Sequence, residues 1–304
     1  MDIELTILGS SSAVPTSLRN TTAQVLNVLG RFFLIDCGEG TQLQMRKYKI
    51  PYNRINHIFI SHLHGDHFFG LIGYISSIGL QGRKTPLHIY SHKKLEIILR
   101  FQLETLNTNL PYDLIFHYLD TSKKEIIYED KNITVTSFSL KHRDVPTCGF
   151  LFKEKEKPLK LIKEKLKELN IPIAQRVKIK AGADYITENG DIIANNKLTT
   201  RPPDPRSYAF CSDTAYTEKF LDVIDKVDLL YHEATHANDN KARAKQTYHS
   251  TAEQAATVAH KANAKKLIIG HFSTRYTDTS QHEKEAREIF PNTFAVKDGD
   301  IFKI

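Results

Sequence analysis

The residues best suited to chemistry are concentrated in one segment, Ser61-His62-Leu63-His64-Gly65-Asp66-His67, which follows a strand-like apolar run. Histidine and aspartate make up four of the six residues from His62 to His67. Gly65 permits a sharp turn, so the first two histidines and the Asp66-His67 pair can face different sides. Imidazole and carboxylate ligands without a nearby cysteine suit zinc or a related divalent ion in a hydrolytic site. We therefore predict that this loop serves two adjacent metal ions.

One loop cannot complete two coordination shells, so further ligands are expected from distant parts of the chain. Taken singly, each candidate would more often be a structural residue, but most of them share the position of the first cluster, just after a predicted strand. The candidates are His142 after 133–139, Asp213 after 208–211, His271 after 267–270, and His249 before a helix-like run. The histidines without this setting are predicted to be structural: His57, His88, His92, His117, His260 and His282.

The elements that must position these residues are strands with helices between them. Alternating apolar residues predict strands from Ile3 onward and at 23–29, 31–35, 55–60, 87–90, 133–139, 208–211 and 267–269. Helical spacing predicts helices at 41–48, 67–78, 93–106, 217–224 and 251–261. This pattern favours sheets covered by helices, of the α/β or α+β class.

Length and composition describe an ordinary globular chain of 304 residues, with 40% hydrophobic and 25% charged residues. A chain of this size needs no structural metal for stability, so any metal is expected to be functional. Its three cysteines, Cys37, Cys148 and Cys211, form no CxxC pair and predict buried thiols in a reducing cytoplasm. The start resembles no signal peptide, and the apolar stretch 68–80 is too short to cross a bilayer. We therefore predict a soluble, cytoplasmic protein.

The net charge of +7 lies almost entirely in one segment, because residues 153–180 contain ten Lys or Arg and four Glu. Leu159, Ile162, Leu166 and Leu169 recur at helical spacing and predict a basic amphipathic helix with Pro158 in its first turn. A hairpin turn is predicted at Asn189-Gly190-Asp191. The sequence thus predicts one domain over 1–304 with an inserted basic excursion at 151–206.

Several motifs resemble those of a known family. The spacing His62-x-His64-x-Asp66-His67 is similar to the defining motif of the metallo-β-lactamase superfamily. The segment Asp36-Cys37-Gly38-Glu39-Gly40-Thr41-Gln42 resembles the first motif of the ribonuclease Z family, the tRNA 3′-processing endonucleases. His232-Glu233-Ala234-Thr235 and His249-Ser250-Thr251 resemble that family's HEAT and HST signatures. The match extends to Gly270-His271-Phe272-Ser273, and the length resembles the family's short form.

The resemblance implies a four-layer αβ/βα sandwich, the metallo-β-lactamase fold, with two zinc ions per subunit. By position, the ligands of one zinc would be His62, His64 and His142, and those of the other Asp66, His67 and His271, with Asp213 bridging. Asp36 would orient a ligating histidine. Asp66 would also act as the general base, and His249, oriented by Glu233, as the acid at the leaving 3′ oxygen.

The resemblance also implies a substrate, precursor tRNA, which would be cut to a tRNA with a 3′-hydroxyl and a trailer with a 5′-phosphate. The arm 151–206 would grip the tRNA, with Lys160, Lys163 and Lys167 as candidate phosphate contacts. Pro15-Thr16-Ser17-Leu18-Arg19-Asn20 resembles the family's PxKxRN loop with Ser17 at the lysine position, and Arg19 and Arg275 are candidates for phosphates near the cut. The family's short forms are homodimers, so a homodimer without membrane contact is expected.

Three other functions fit parts of the sequence. A hydrolase of small phosphodiesters would use the same metal ligands but leaves the basic arm unexplained. A nucleic-acid-binding protein with a degenerate metal site conflicts with seven competent ligands. A redox di-iron protein leaves the HEAT and HST matches unexplained.

Overall fold

The computed structural model describes residues 3–304, and contacts within the chain divide it into two compact units. The larger unit comprises the described residues up to Asp130, Thr134–Lys153 and Arg206–Ile304. The smaller unit comprises Lys131–Ile133 and Glu154–Pro205. Across residues 3–304, no helix has the length and apolar character that a membrane span requires.

Strands and helices alternate along much of the described chain. The strands are β1 (Ile3–Gly9), β2 (Ala23–Val28), β3 (Arg31–Cys37), β4 (Ile55–Phe59), β5 (Leu87–Ser91), β6 (Leu114–Tyr118), β7 (Glu125–Glu129), β8 (Ile133–Ser139), β9 (Cys148–Glu154), β10 (Lys160–Leu161), β11 (Tyr185–Ile186), β12 (Ile192–Ile193), β13 (Thr199–Thr200), β14 (Ser207–Cys211), β15 (Leu229–Glu233), β16 (Leu267–Gly270), β17 (Thr293–Ala295) and β18 (Ile301–Lys303). The helices are α1 (Thr41–Lys47), α2 (Gly65–Phe68), α3 (Leu71–Leu80), α4 (Lys94–Thr105), α5 (Lys163–Glu168), α6 (Ile173–Lys180), α7 (Lys241–Thr247), α8 (Ala252–Lys261) and α9 (Ser280–Ile289).

Within residues 3–304, two seven-stranded sheets form the framework of the larger unit. Their strand orders are β18–β1–β2–β3–β4–β5–β6 and β17–β16–β15–β14–β9–β8–β7. The strands β3 to β6 run parallel to one another, as do β14 to β17. Parallel strands end at the same edge of a sheet, so the loops that follow them gather there.

Aromatic side chains fill the space between the two sheets. Phe59 of β4 meets Phe150 and Phe152 of β9 edge-on, with ring centroids 5.6 and 5.4 Å apart. Phe33 of β3 also contacts Phe152, at 5.8 Å. Each of these rings is at most 2% exposed. The inner faces of the two sheets therefore pack on each other through interlocking rings.

Helices cover the outer face of each sheet. Ile58 points away from the aromatic layer, opposite to its neighbour Phe59, and packs with residues of α1, α3 and α4 in one apolar cluster. On the second sheet, alanines of α8 such as Ala255 and Ala259 share an apolar cluster with Leu230 of β15. The structure confirms the four-layer αβ/βα sandwich.

The smaller unit has its own small core, which contains Leu166, Ile179 and Leu198. The predicted hairpin turn is confirmed, because β11 and β12 pair across a turn in which Gly190 has a φ of 88°. The predicted helix start at Pro158 is wrong. Residues 160–161 instead pair with Thr199–Thr200 as a short strand, and the helix begins only at Lys163.

The helix predicted at 217–224 is also wrong, because the structure has consecutive turns there. Phe220 and Ile224 are buried in the core beside α8, so the apolar spacing reflects packing and not helical backbone. Eight residues are too few to hold a helix without favourable packing along its length.

Candidate functional site

The loop after β4 places four metal-capable side chains at the sheet edge. His62 follows the strand, and Asp66 and His67 lie on α2, a single helical turn. The sequence predicted one helix over 67–78, but the chain breaks between α2 and α3 at Gly70. A Cβ on Gly70 would lie 2.1 Å from the carbonyl oxygen of Gly38, so the close approach of these two backbones requires glycine.

Asp36, at the end of β3, holds this loop in place. Its Oδ1 accepts a hydrogen bond from the backbone N–H of Ser61 at 2.7 Å. Its Oδ2 accepts from the Ser61 hydroxyl at 2.8 Å and from Nδ1 of His67 at 2.7 Å. The bond to Nδ1 leaves Nε2 as the ring nitrogen of His67 that faces the cleft.

Three residues from other strand ends complete the cluster, as the shared position after strands suggested. His142 follows β8, and its Nε2 lies 3.2 Å from Nδ1 of His64, which is itself 3.0 Å from Nε2 of His62. His271 follows β16, and its Nε2 lies 3.3 Å from Oδ2 of Asp66. The ligand atoms thus form two neighbouring groups.

Asp213, after β14, lies between the two groups. Its Oδ2 is 3.7 Å from Nε2 of His62 and 3.8 Å from Nε2 of His142. Its Oδ1 is 3.4 Å from Nε2 of His67 and 3.2 Å from Nε2 of His271. One carboxylate therefore faces both groups. Ligand atoms lie within 4.8 Å of one another in the sets His62, His64, His142 and Asp213, then Asp66, His67 and His271, and also Asp213, His249 and His271.

The buried polar atoms of this cluster fit a cation. Nε2 of His67 and Oδ1 of Asp213 are buried and have no hydrogen-bond partner within residues 3–304. These two atoms lie 3.4 Å from each other, and because buried polar atoms are almost always paired, the two together indicate a ligand between them. Burial lowers the pKa of His62 and of His142, which favours the neutral form that binds metals. Burial also lowers the pKa of His67, but the carboxylates of Asp213, Asp66 and Asp36 outweigh burial and raise it.

The Nδ1 atoms of His142 and His271, which face away from the cluster, are also hydrogen-bonded. Nδ1 of His142 donates to the carbonyl of Tyr248 at 2.9 Å, and Nδ1 of His271 donates to the Thr235 hydroxyl at 2.9 Å. Metal-binding histidines in proteins show this same arrangement of a second partner behind each ring. The sequence carried no signal for Tyr248, because its contribution is a backbone carbonyl. The composition and geometry are those of a metal-binding site.

A buried carboxylate and a partly exposed imidazole form a second pair beside the cluster. Oε1 of Glu233 accepts from Nδ1 of His249 at 2.9 Å and from the N–H groups of Ser250 and Thr214 at 2.9 and 3.1 Å. Burial raises the pKa of Glu233, but the charge and hydrogen bond of His249 outweigh burial and lower it to about 2. Burial lowers the pKa of His249, but Glu233 outweighs burial and raises it above the usual value. His249 is therefore equipped to hold a proton at the cleft.

The cleft itself has a volume of about 340 Å³ and is lined by residues of both sheets. Its described lining residues are Ser12, Ala13, His64, Gly65, Asp66, Phe69, His142, Arg143, Asp213, His249 and His271. The candidates Arg19 and Arg275 are not among these described lining residues. Arg19 is buried and donates to the carbonyl of Tyr276, and Arg275 is exposed.

Two lining residues were missed by sequence reasoning. Arg143 is exposed in the cleft wall with a φ of 45°, and its position next to His142 was the available signal. Phe69 follows α2 and gave no signal, because a Phe-Phe pair usually indicates core. The lysine candidates Lys160, Lys163 and Lys167 are exposed on the smaller unit.

Comparison with known proteins places the chain in a family. Residues 3–158 match the family model described as anti-Pycsar protein Apyc1. A ribonuclease Z of Bacteroides fragilis (strain YCH46) is 49% identical over 295 residues, which cover 97% of each chain. Human tRNase Z, short form, is 27% identical with a TM-score of 0.72 over 98% of each chain. The metallo-β-lactamase fold protein YhfI from Bacillus subtilis, 17% identical with a TM-score of 0.69 over 100% of each chain, shares the fold.

The fold and the full-length likeness confirm both parts of the resemblance, the metallo-β-lactamase fold and the narrower family within it. The likeness to the Apyc1 model covers the first half of the chain, whereas the 49% identity extends over nearly all of it. The chain is a hydrolase that acts as an endoribonuclease, and it belongs to the ribonuclease Z family.

Proposed function

We propose that the protein is a zinc-dependent endoribonuclease that removes 3′ trailers from precursor tRNA. The observation that carries this proposal is Asp213, whose two oxygens face two separate groups of ligand atoms in a chain of the ribonuclease Z family. A relative named tRNase Z supports tRNA as the substrate.

In this proposal seven residues would hold two zinc ions. The sets would be His62, His64 and His142 for one ion and Asp66, His67 and His271 for the other, with Asp213, whose two oxygens face the two sets, contributing to both. Two such cations supply a nucleophile at neutral pH and neutralise the charge that develops on the phosphate oxygens. Asp36 fixes the ring of His67 through its Nδ1 and so fixes the ligand geometry.

The proton transfers are assigned to this chain's own groups. Asp66, fixed by the N–H of Ala13 at 2.7 Å from its Oδ2, accepts the proton of the attacking water. The water oxygen bonds to phosphorus as the bond from phosphorus to the 3′ oxygen breaks. His249 gives its proton to that leaving oxygen, and Glu233 stabilises the charged ring before transfer. The products are a tRNA with a 3′-hydroxyl and a trailer with a 5′-phosphate.

The function is tested by cleavage of a labelled precursor tRNA with a 3′ trailer, mapped to the nucleotide. We expect one cut after the discriminator base, loss of cleavage after EDTA treatment and its return with zinc. If the RNA stays intact while the same preparation hydrolyses bis(p-nitrophenyl) phosphate, the small-phosphodiesterase function replaces this one.

We also propose that the protein acts as a homodimer and that the smaller unit binds the body of the tRNA. A groove of about 740 Å³ in this unit is lined by apolar side chains, including Leu161 and Val177, and by basic ones. The basic residues are Lys157, Lys160, Lys163, Arg176 and Lys180. Cations around such a groove attract phosphates with little regard to base sequence.

Replacing Lys160, Lys163 and Lys167 by alanine is expected to weaken tRNA binding and reduce its dependence on salt. Each phosphate contact removed lowers the slope of log K against log[salt] by about 0.9, so the triple variant should lose about 2 to 3 in slope. Binding is measured by filter retention between about 50 and 200 mM salt.

A matched control removes the same number of exposed lysines from the larger unit, Lys84, Lys93 and Lys94. An equal loss of slope in the control would contradict a specific role for the smaller unit.

A further inference from the structure

An exposed aromatic ring stands at the mouth of an otherwise polar cleft. Phe69 is 64% exposed, although phenylalanine is a side chain that folding normally buries. It lines the cleft together with Asp66, His249 and His271. Of the described residues that line the cleft, Phe69 is the one with a large apolar side chain. The catalytic chemistry gives this ring no role.

The backbone of Gly65 supports the ring. A Cβ built on Gly65 would lie 2.1 to 2.6 Å from Cε2, Cζ and Cδ2 of Phe69, so the ring rests directly on the glycine. Phe68 packs against it in a T-shaped contact, with ring centroids 5.0 Å apart at an interplanar angle of 68°. The ring therefore contacts Gly65 and Phe68 on one side and is open to water on another.

The ring lies beside the position where a phosphodiester would react. Phe69 follows Asp66 by three residues, and its N–H donates to the carbonyl of Gly65 at 2.9 Å, so both side chains belong to one helical turn. A ligand that places phosphate at Asp66 and a flat apolar group a short distance away matches this arrangement. Single-stranded RNA has this alternation of phosphate and base, and proteins bind its unstacked bases on aromatic rings.

We propose that Phe69 is a stacking platform for the unpaired nucleobase next to the scissile phosphate. The inference rests on the proposed function, because a base reaches this ring only when an RNA phosphodiester enters the cleft. Phe69 carries no proton and no charge, so its contribution is to bind the base and position the phosphate. The π-face of any base can stack there, so cleavage should tolerate different bases at this position.

The first test compares three replacements, Phe69→Ala, Phe69→Leu and Phe69→Trp. The alanine and leucine variants should raise the KM for precursor tRNA about 10- to 100-fold, and tryptophan should stay near the wild-type value. The stack is present in both the bound substrate and the transition state, so kcat should change little. A matched control is Phe101→Ala, since Phe101 is 68% exposed on α4 and does not line the cleft.

The second test identifies the stacked base. Abasic nucleotides are placed at the discriminator position or at the first trailer position of the precursor. When the abasic nucleotide is at the stacked position, the KM of the wild-type protein should rise. The KM of Phe69→Ala should be the same for the abasic and the normal substrate. A 5-iodouridine at the same position should form a photo-crosslink to the Phe69 peptide, located by mass spectrometry.

The outcomes separate this inference from the function on which it rests. Wild-type cleavage with an unchanged KM in Phe69→Ala would overturn the stacking role alone. The same result follows if the alanine penalty persists on both abasic substrates, since the ring would then act without contacting a base. Precursor tRNA left intact by the wild-type protein would overturn both proposals.

Discussion

Replacing Asp213 by alanine is expected to reduce kcat on precursor tRNA by about 10⁴-fold or more and to release bound metal. Its two oxygens lie 3.2 to 3.8 Å from ring nitrogens of four histidines in two separate groups. Without this anion, Nε2 of His62 and of His142 would lose the carboxylate that faces them. Nε2 of His67 and of His271 would keep that of Asp66 alone. The measurement is single-turnover cleavage together with metal content by mass spectrometry.

Two comparisons make the Asp213 result specific. Asp120→Ala removes an exposed carboxylate of the same type and should leave both readouts unchanged. Asp66→Ala should also abolish the cut but release less metal, because Asp66 faces one group only. An Asp213→Ala protein that keeps its full metal content and a tenth of its activity would contradict the proposed bridging position.

Replacing His249 by alanine is expected to lower kcat by about 10²- to 10⁴-fold, the range for loss of a general acid, with metal content unchanged. The physical reason is that the leaving 3′ oxygen would depart as an anion. Glu233→Gln should cost less, because glutamine still offers an oxygen to the Ser250 and Thr214 N–H groups but no charge to His249.

A change of leaving group tests this role of His249. In a substrate with sulfur in place of the bridging 3′ oxygen, the leaving group departs as a stable thiolate and needs no proton. The deficit of His249→Ala should therefore nearly disappear on the sulfur substrate, while that of Asp213→Ala should persist. An equal deficit of His249→Ala on both substrates would show that His249 acts on some other step.

The core of the site could be predicted from the sequence because its signals are local or shared. The density of histidine and aspartate from His62 to His67 is visible without a structure. His142, Asp213 and His271 shared one setting, the position just after a strand, and the structure brings all three to the cluster. Sheet geometry explains this success for Asp213 and His271, since β14 and β16 belong to one parallel run and parallel strands end at a common edge. His142 follows β8, which pairs antiparallel with β7, so its signal was only the position after a strand.

The parts that could not be predicted depend on exposure or on backbone contacts. The sequence around Phe69 does not show whether this residue lies in the cleft or in the core, because the difference is the exposure of its ring. The false helix at 217–224 shows the same limit, since Phe220 and Ile224 are buried at helical spacing by successive turns. The predicted helix start at Pro158 is wrong because Lys160–Leu161 pair with β13, which lies about 40 residues later in the chain, and this pairing is not visible in the local sequence.

The order of the site residues along the chain has a consequence for biosynthesis. The cluster of ligand atoms combines His62, which follows β4 of the first sheet, with His271, which follows β16 of the second. During translation β1 to β6 of the first sheet are made before its edge strand β18 and before His271, the last of the seven proposed ligands. Under the proposed function, a nascent chain therefore cannot complete the metal site until nearly all of it has been synthesised and β16 has paired with β15. The distribution of one active site over both halves of the polypeptide delays nuclease activity until folding of the larger unit is almost complete.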